Sequence, residues 1–446
     1  MRRAMSQKIV CVTAALAMVL AVICAPDAVG QAMPGMSSME STVGFLSSGT
    51  SVEPKSTSES EAMVHASIGN WTLMFHANAF VVDTQQTGPR GHDKFYSTNW
   101  LMPTLTREFG RHSISARTML SLEPLTVTRR LYPELFQTGE TSYGLPIVDG
   151  QHPHEFLTEI AGRYGFQFTD KTQVFVYGGP VGEPALGPTA YPHRASASEN
   201  PLAVLGHHQQ DSTHISNSVI TLGFVHGSLQ LEASTFHGRE PDENRWNIDG
   251  GKPDSFSSRL TLGMKNGFTG QFSAGRINNR EGLHPTEDTF RLTASVSHYK
   301  RFSSGHIATT LIWGRNKDLP GDHAARLFNA YTLETTANFA RRNWTWTRIE
   351  NVDRDGTILV GEVPAVRRVE EDPIGRIQAY SFGYERDLPL EVAALRLGLG
   401  AQATIYGFPE RLKVAYGNRP AAFSVFLRIR PKGNMAEHMQ LMHGHH

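Results

Sequence analysis

The last twelve residues, MAEHMQLMHGHH, put Met435, His438, Met439, Met442, His443, His445 and His446 in one short run. A second cluster, MPGMSSM, spaces Met33, Met36 and Met39 three residues apart. Thioether favours Cu(I), and imidazole accepts copper in either state as well as zinc and nickel, so the two segments form a candidate copper site. Two histidine groups lie mid-chain: DGQHPHEF carries His152 and His154, and GHHQQDSTHIS carries His207, His208, Asp211 and His214, with His193 nearby. The second is a candidate transition-metal site in a loop; histidines that simply hydrogen-bond on a surface are the plainer account. No enzyme is expected, because the contiguous Asp-Ser-Thr-His run cannot bring its side chains onto one oxygen and no other nucleophile stands with a base.

The compartment of these groups is set by the amino terminus. Arg2, Arg3 and Lys8 precede an apolar run from Ile9 to Cys24, and small residues follow, which is the layout of a secretory signal over residues 1–30. Both cysteines of the chain, Cys11 and Cys24, fall inside it, so the exported protein has no disulfide framework. Without Arg2, Arg3, Lys8 and Asp27 the chain keeps 39 basic and 41 acidic residues, a balance that implies no nucleic-acid partner. No later stretch approaches the roughly 18 apolar residues of a spanning helix, so any membrane crossing must be made by strands.

Residues 31–66 read as an unstructured Met/Ser-rich leader. From Trp71 onward, segments of about ten residues alternate apolar with small or polar. In 395–405, Leu395, Leu397, Leu399, Ala401, Ala403 and Ile405 interleave with Arg396, Gly398, Gly400, Gln402 and Thr404. Such dyads predict strands near 71–82, 95–108, 112–122, 156–168, 172–179, 215–226, 228–238, 256–265, 268–278, 289–301, 306–316, 327–339, 344–352, 375–386, 391–407 and 420–430. The connections between them alternate short with long, and Asn266-Gly267 is a strong tight-hairpin dipeptide. Trp71, Phe109, Phe168, Phe268, Tyr299, Phe302, Phe339, Trp344 and Tyr384 all stand beside short turns, where an interfacial girdle belongs. A soluble sandwich or propeller would also be rich in strands, but would need neither the alternation nor the girdle.

The expected fold is therefore all-β: a closed antiparallel up-and-down transmembrane β-barrel of about 16 strands over 67–430, with short periplasmic turns and long extracellular loops. An even strand count leaves the leader and the tail, 431–446, together in the periplasm. The organisation of residues 71 to 430 resembles the sixteen-stranded porin group of bacterial outer-membrane proteins. That resemblance implies a passive channel, contact with outer-membrane lipid and lipopolysaccharide, insertion by the barrel assembly machinery, and a homotrimer. The last strand, FSVFLRIR, is followed by Pro431 and a tail rather than ending on an aromatic, so an internal assembly signal is expected. Methionine-rich segments joined to a barrel are similar in layout to the copper-resistance B outer-membrane proteins, which implies metal handling at the ends of the chain.

Inward positions of the dyads name the solute. Arg117, Arg163, Arg259, Arg276, Arg291, Arg348, Arg396, Arg428 and Arg430 are expected in the lumen, against Glu159, Glu232, Glu334 and Glu350. Guanidinium in excess favours small anionic or polar solutes. The alternative is a structural network in which these groups pair across the lumen. Loop 180–214 is long enough to fold inward as a constriction.

Overall fold

The computed structural model describes residues 42–57, 63–280, 286–319, 325–360, 374–392 and 395–432. The signal, the Met33, Met36 and Met39 cluster and the Met/His run of 435–446 lie outside the described residues. Sixteen antiparallel strands close a barrel: β1 Trp71–Gln86, β2 Lys94–Phe109, β3 His112–Leu120, β4 Leu157–Thr169, β5 Thr172–Gly182, β6 Ser216–His226, β7 Leu229–His237, β8 Ser255–Gly263, β9 Phe268–Ile277, β10 Asp288–Phe302, β11 Gly305–Leu319, β12 Leu327–Phe339, β13 Asn343–Asp355, β14 Ile374–Val392, β15 Leu395–Gly407 and β16 Ala421–Pro431. Each pairs with the next, and β16 returns to β1, running from Ala422 opposite Gln86 to Ile429 opposite Ala79. Below that seam, the edge of β1 from Trp71 to His76 is covered by Met63–Ile68.

The dyads dictate this arrangement by turning one face of every strand outward. Leu222, Phe256, Phe382 and Ile405 on the outside are more than 60% exposed, while Arg291, Thr293, Thr332 and Thr336 inside are fully buried. That distribution is inverted relative to a soluble protein and places the apolar surface against lipid. No described helix is long and apolar enough to cross a membrane.

Tight turns close one rim. At Asn266 and Gly267 both φ angles are positive, 59° and 77°, as the expected hairpin requires. Phe109, Phe168, Phe268, Phe302, Phe339 and Tyr384 form an outward girdle there. Tyr299 and Trp344, expected in the girdle, are buried inside, because each shares parity with the lumen face of its strand. β1 starts and β16 ends at this short-turn rim.

The leader departs from its expected disorder. Phe45–Leu46 pairs with Val52–Glu53, and Val43, Phe45, Leu46 and Val52 are buried. Met63–Ile68 joins the sheet through a turn at Gly69. Neither segment carries a long dyad, so only the wall around them reveals their place.

Candidate functional site in the barrel lumen

A sixteen-stranded wall encloses more space than its own side chains fill, and in open porins that space holds water. Here three segments of the chain occupy it: residues 43–53, the hairpin Tyr132–Ser142 with Leu145–Gln151, and loop 183–214.

Loop 183–214 is held by the wall almost all the way round. Arg194 is fully buried between Asp211, with Nη1 3.1 Å from Oδ2, and Glu334 of β12. The second oxygen of Glu334 lies 3.3 Å from Arg348 Nε of β13. Ser196 Oγ lies 2.7 Å from Thr310 Oγ1, and Thr336 donates to the Ser196 carbonyl at 2.8 Å. Wall arginines then reach the loop's backbone. Arg259 donates to the Gly187 carbonyl at 3.2 Å, Arg348 to those of Leu202 and Ala203 at 3.1 and 2.9 Å, and Arg291 to that of His208 at 2.5 Å. Arg428 pairs with Glu199 of the loop. Gly314 on β11 has a steric role: a Cβ there would stand 2.2 Å from the Gln209 carbonyl oxygen, so only glycine lets loop and wall approach this closely.

Residues 43–53 lie on this loop and against the wall. Arg117 donates to the Gly49 carbonyl at 3.3 Å, Gln230 to that of Thr50 at 3.0 Å, and the amide of Ala190 to Ser48 Oγ at 3.0 Å. The hairpin is held by Arg354, whose Nε donates to the Phe136 carbonyl at 3.0 Å, and its Leu135 and Phe136 pack with Ile377, Leu412 and Tyr416. At the long-loop end a cavity of about 800 Å³ remains, lined by Glu140, Glu240, Arg245, Arg280, Asp318 and Asp353 among others. Burial pushes the Glu134 and Glu183 carboxyls up to about 8 within these luminal segments.

Of the lumen positions read from the dyads, Arg117, Arg163, Glu232, Arg259, Arg291, Glu334, Arg396 and Arg428 do face inward. Arg348, Arg430, Glu159 and Glu350 are inside as well. Arg276 is not: its side chain is 61% exposed and pairs with Asp288 at 2.6 Å. It shares parity with the outward Phe268 and Phe272, so the parity of its own strand carries the signal. The arginine excess is also offset by carboxylates the dyads did not supply. Glu385 and Asp387 of β14 hold Arg430, at 3.3 and 2.8 Å, and Glu199, Asp211 and Glu183 come from a loop that has no periodicity to read.

Sequence reasoning also missed a thioether patch. Met63, Met74, Met102 and Met119 cluster in the lumen with Phe45 and Trp100. His76 and His193 stand by the Trp100 ring, each with a centroid 4.5 Å from it. Met74 and Met102 are at inward positions of β1 and β2, a signal available from parity alone.

The two histidine loops do meet, though not as one four-residue site. His208 points toward the cavity, 3.7 Å from Glu240, with its ring 5.3 Å from that of His207. His207 and His214 instead join His154 from the other loop. Nδ1 of His207 is 2.7 Å from Asp211 Oδ1, Nδ1 of His214 is 2.8 Å from the Asp211 carbonyl, and Nδ1 of His154 is 3.0 Å from Glu123 Oε2. Nε2 of His154 and Nε2 of His214 are 3.4 Å apart, and the His207 and His214 ring centroids 5.1 Å. Burial draws His207 down to about 4 and His214 to about 3. For His154 burial acts the same way, but the Glu123 carboxylate outweighs it and raises the group. Burial opposes ionisation of Asp211, yet its hydrogen bond and attraction to His207 and the Arg194 charge hold it well below the usual carboxylate range.

Apolar exterior, interfacial aromatics, sixteen strands and a polar filled lumen define an outer-membrane β-barrel of porin architecture. Among solved structures, the chain is similar to an anion-selective porin from Comamonas acidovorans, at 9% identity over 80% of this chain and 99% of that one, with a TM-score of 0.48. It is also similar to OmpF of Salmonella typhi in complex with daunomycin, at 7% identity over 82% of this chain and 100% of that one, TM-score 0.48. A third is the outer-membrane channel DcaP of Acinetobacter baumannii, at 9% identity over 80% and 97%, TM-score 0.41. No known protein family and no curated protein matches the sequence.

Proposed function

We propose that the protein is an outer-membrane channel held shut by loop 183–214, which admits small polar or anionic solutes when that loop leaves the wall. The observation behind this reading is that wall arginines bind the loop's backbone carbonyls and acidic side chains, contacts that water or a passing anion can replace. An inert barrel would need no removable plug of this polarity. In this reading the short-turn rim and both ends of the barrel face the periplasm, the girdle meets lipid, lipopolysaccharide surrounds the long loops, the assembly machinery inserts the chain, and three copies associate.

A cysteine pair tests the gate. Ser196 Oγ and Thr310 Oγ1 are 2.7 Å apart across the loop–wall boundary, close enough for Ser196→Cys and Thr310→Cys to form a disulfide. In planar bilayers the unmodified protein should show stepwise openings. The oxidised pair should be silent, and reductant should restore the openings. An unmodified protein silent at every voltage, or an oxidised pair that conducts normally, overturns the proposal.

A second reading, copper handling, is favoured by the luminal thioether patch of Met63, Met74, Met102 and Met119 beside His76 and His193, because thioether and imidazole together suit Cu(I). Replacing Met74 and Met102 by leucine keeps the packing volume. In a full-length protein whose tail methionines and histidines are also replaced, that change should lower Cu(I) affinity at least tenfold. Unchanged affinity removes the patch from the account.

A further inference from the structure

We infer that His154, His214 and His207 form a binding site for a divalent transition ion of the zinc or copper(II) kind, built where two long loops meet at the barrel's long-loop end. The inference stands apart from conduction, since a barrel that never opens could still hold the ion.

Hydrogen bonds fix the tautomers of the three rings. The Asp211 backbone carbonyl can only accept, so Nδ1 of His214 carries a proton and donates it at 2.8 Å. Asp211, ionised beside Arg194, accepts from Nδ1 of His207 at 2.7 Å. Glu123 accepts from the Asn99 amide at 3.2 Å, from the His154 amide at 2.8 Å and from Nδ1 of His154 at 3.0 Å. All three rings are thus pinned through Nδ1 by an oxygen acceptor, which in the neutral imidazole leaves Nε2 as a bare lone pair. Acceptors that orient imidazoles in this way are the usual outer shell of a metal centre.

The second observation is where those lone pairs go. Nε2 of His154 and Nε2 of His214 face each other across 3.4 Å. Two bare nitrogens at that distance repel unless a cation lies between them. A tetrahedral zinc-like ion with bonds of about 2.0–2.1 Å would hold two ligand nitrogens about 3.3–3.4 Å apart. His207 is the nearest third ligand, its ring 5.1 Å from that of His214 centroid to centroid. Among the described residues no three such side chains already enclose one point, so His207 is the one ring that must shift on binding, swinging about its Asp211 hydrogen bond to reach the pair held by His154 and His214. Asp211 is bound by His207 and Arg194 and acts as an orienting partner. His208 faces the cavity and takes no part.

The remaining occupant of the gap is a proton, shared if His154 becomes imidazolium and donates to His214. Metal counting separates the two. Full-length protein in detergent, with His438, His443, His445 and His446 changed to alanine to silence the tail, should retain one zinc ion per chain after dialysis against a weak chelator. The additional pair His154→Gln and His214→Gln should lose that ion, and His208→Gln should keep it. Glu123→Gln, which removes the carboxylate that orients the His154 ring and its amide, should weaken binding about tenfold. If the paired variant fails to fold, the electron paramagnetic resonance spectrum of Cu(II) in the tail-silenced protein decides: several imidazole nitrogens on one copper support the site. No zinc retained and no such nitrogens, or zinc retained equally by the folded paired variant, overturns it.

Discussion

Excising residues 183–215 and joining Gly182 to Ser216 through Asn-Gly should turn a mostly closed barrel into one that conducts continuously. The joint is geometrically simple, because Gly182 and Ser216 are already partners at the ends of β5 and β6 and a two-residue turn spans such a pair. Sixteen strands enclose a lumen wide enough for a water-filled channel once the filling is gone. The arginines that now bind loop carbonyls, Arg259, Arg291 and Arg348, would be rehydrated rather than left buried and unpaired, so their desolvation cost disappears with the loop. Lost with it are the loop–wall ion pairs Arg194–Glu334 and Glu199–Arg428, together with the Arg194–Asp211 pair inside the loop. The barrel wall keeps every strand pairing. Folding is checked by heat-modifiable gel mobility and opening by single-channel recording. A folded, silent excision variant would show that residues 43–53 and the hairpin over 132–151 close the lumen unaided.

Glu334→Gln should have the second largest effect. One carboxylate, 1% exposed, answers both Arg194 and Arg348 and also accepts from Ser196 at 2.9 Å. The amide keeps the shape and loses the charge, leaving two guanidinium groups of which Arg194 keeps only Asp211. Removing one partner of a buried ion pair costs about 3–5 kcal/mol. In a soluble core that cost would fall on global stability. Here the loop can leave the wall and let water in, so the cost should appear as undocking of 183–214 while the barrel persists. Limited proteolysis should cut this loop several times faster than in the unmodified protein, and bilayer openings should become more frequent. Should Glu334→Gln leave both rates unchanged, the Arg194–Glu334–Arg348 cluster contributes nothing to closure.

The strands were legible in the sequence because a wall with lipid on one side and polar filling on the other imposes a two-residue period on every segment. All sixteen expected strands are present, most within four residues at each end, although β14 runs on to Val392 through the turn expected at 387–390; Asn266-Gly267 makes the turn its chemistry demands. Parity also placed Arg291, Glu334 and Arg428 inside, and misled only where one strand was read out of phase, at Arg276.

Length alone marked loop 180–214 as a candidate constriction, and it does enter the lumen; what the sequence could not hold was how the filling is seated and that two further segments share it. Loop 183–214, residues 43–53 and the hairpin have no repeating pattern, since each residue meets a different part of a curved wall rather than two constant environments. Their positions depend on contacts between residues far apart in the chain, such as Arg194 with Glu334 or Arg428 with Glu199, which exist only once the sheet has closed. The same holds for the histidines. Composition showed that His154, His207, His208 and His214 were available; tertiary structure alone turned His208 to the cavity and brought His154 to His214, because ring orientation is fixed by acceptors such as Glu123 and Asp211 that local spacing does not identify.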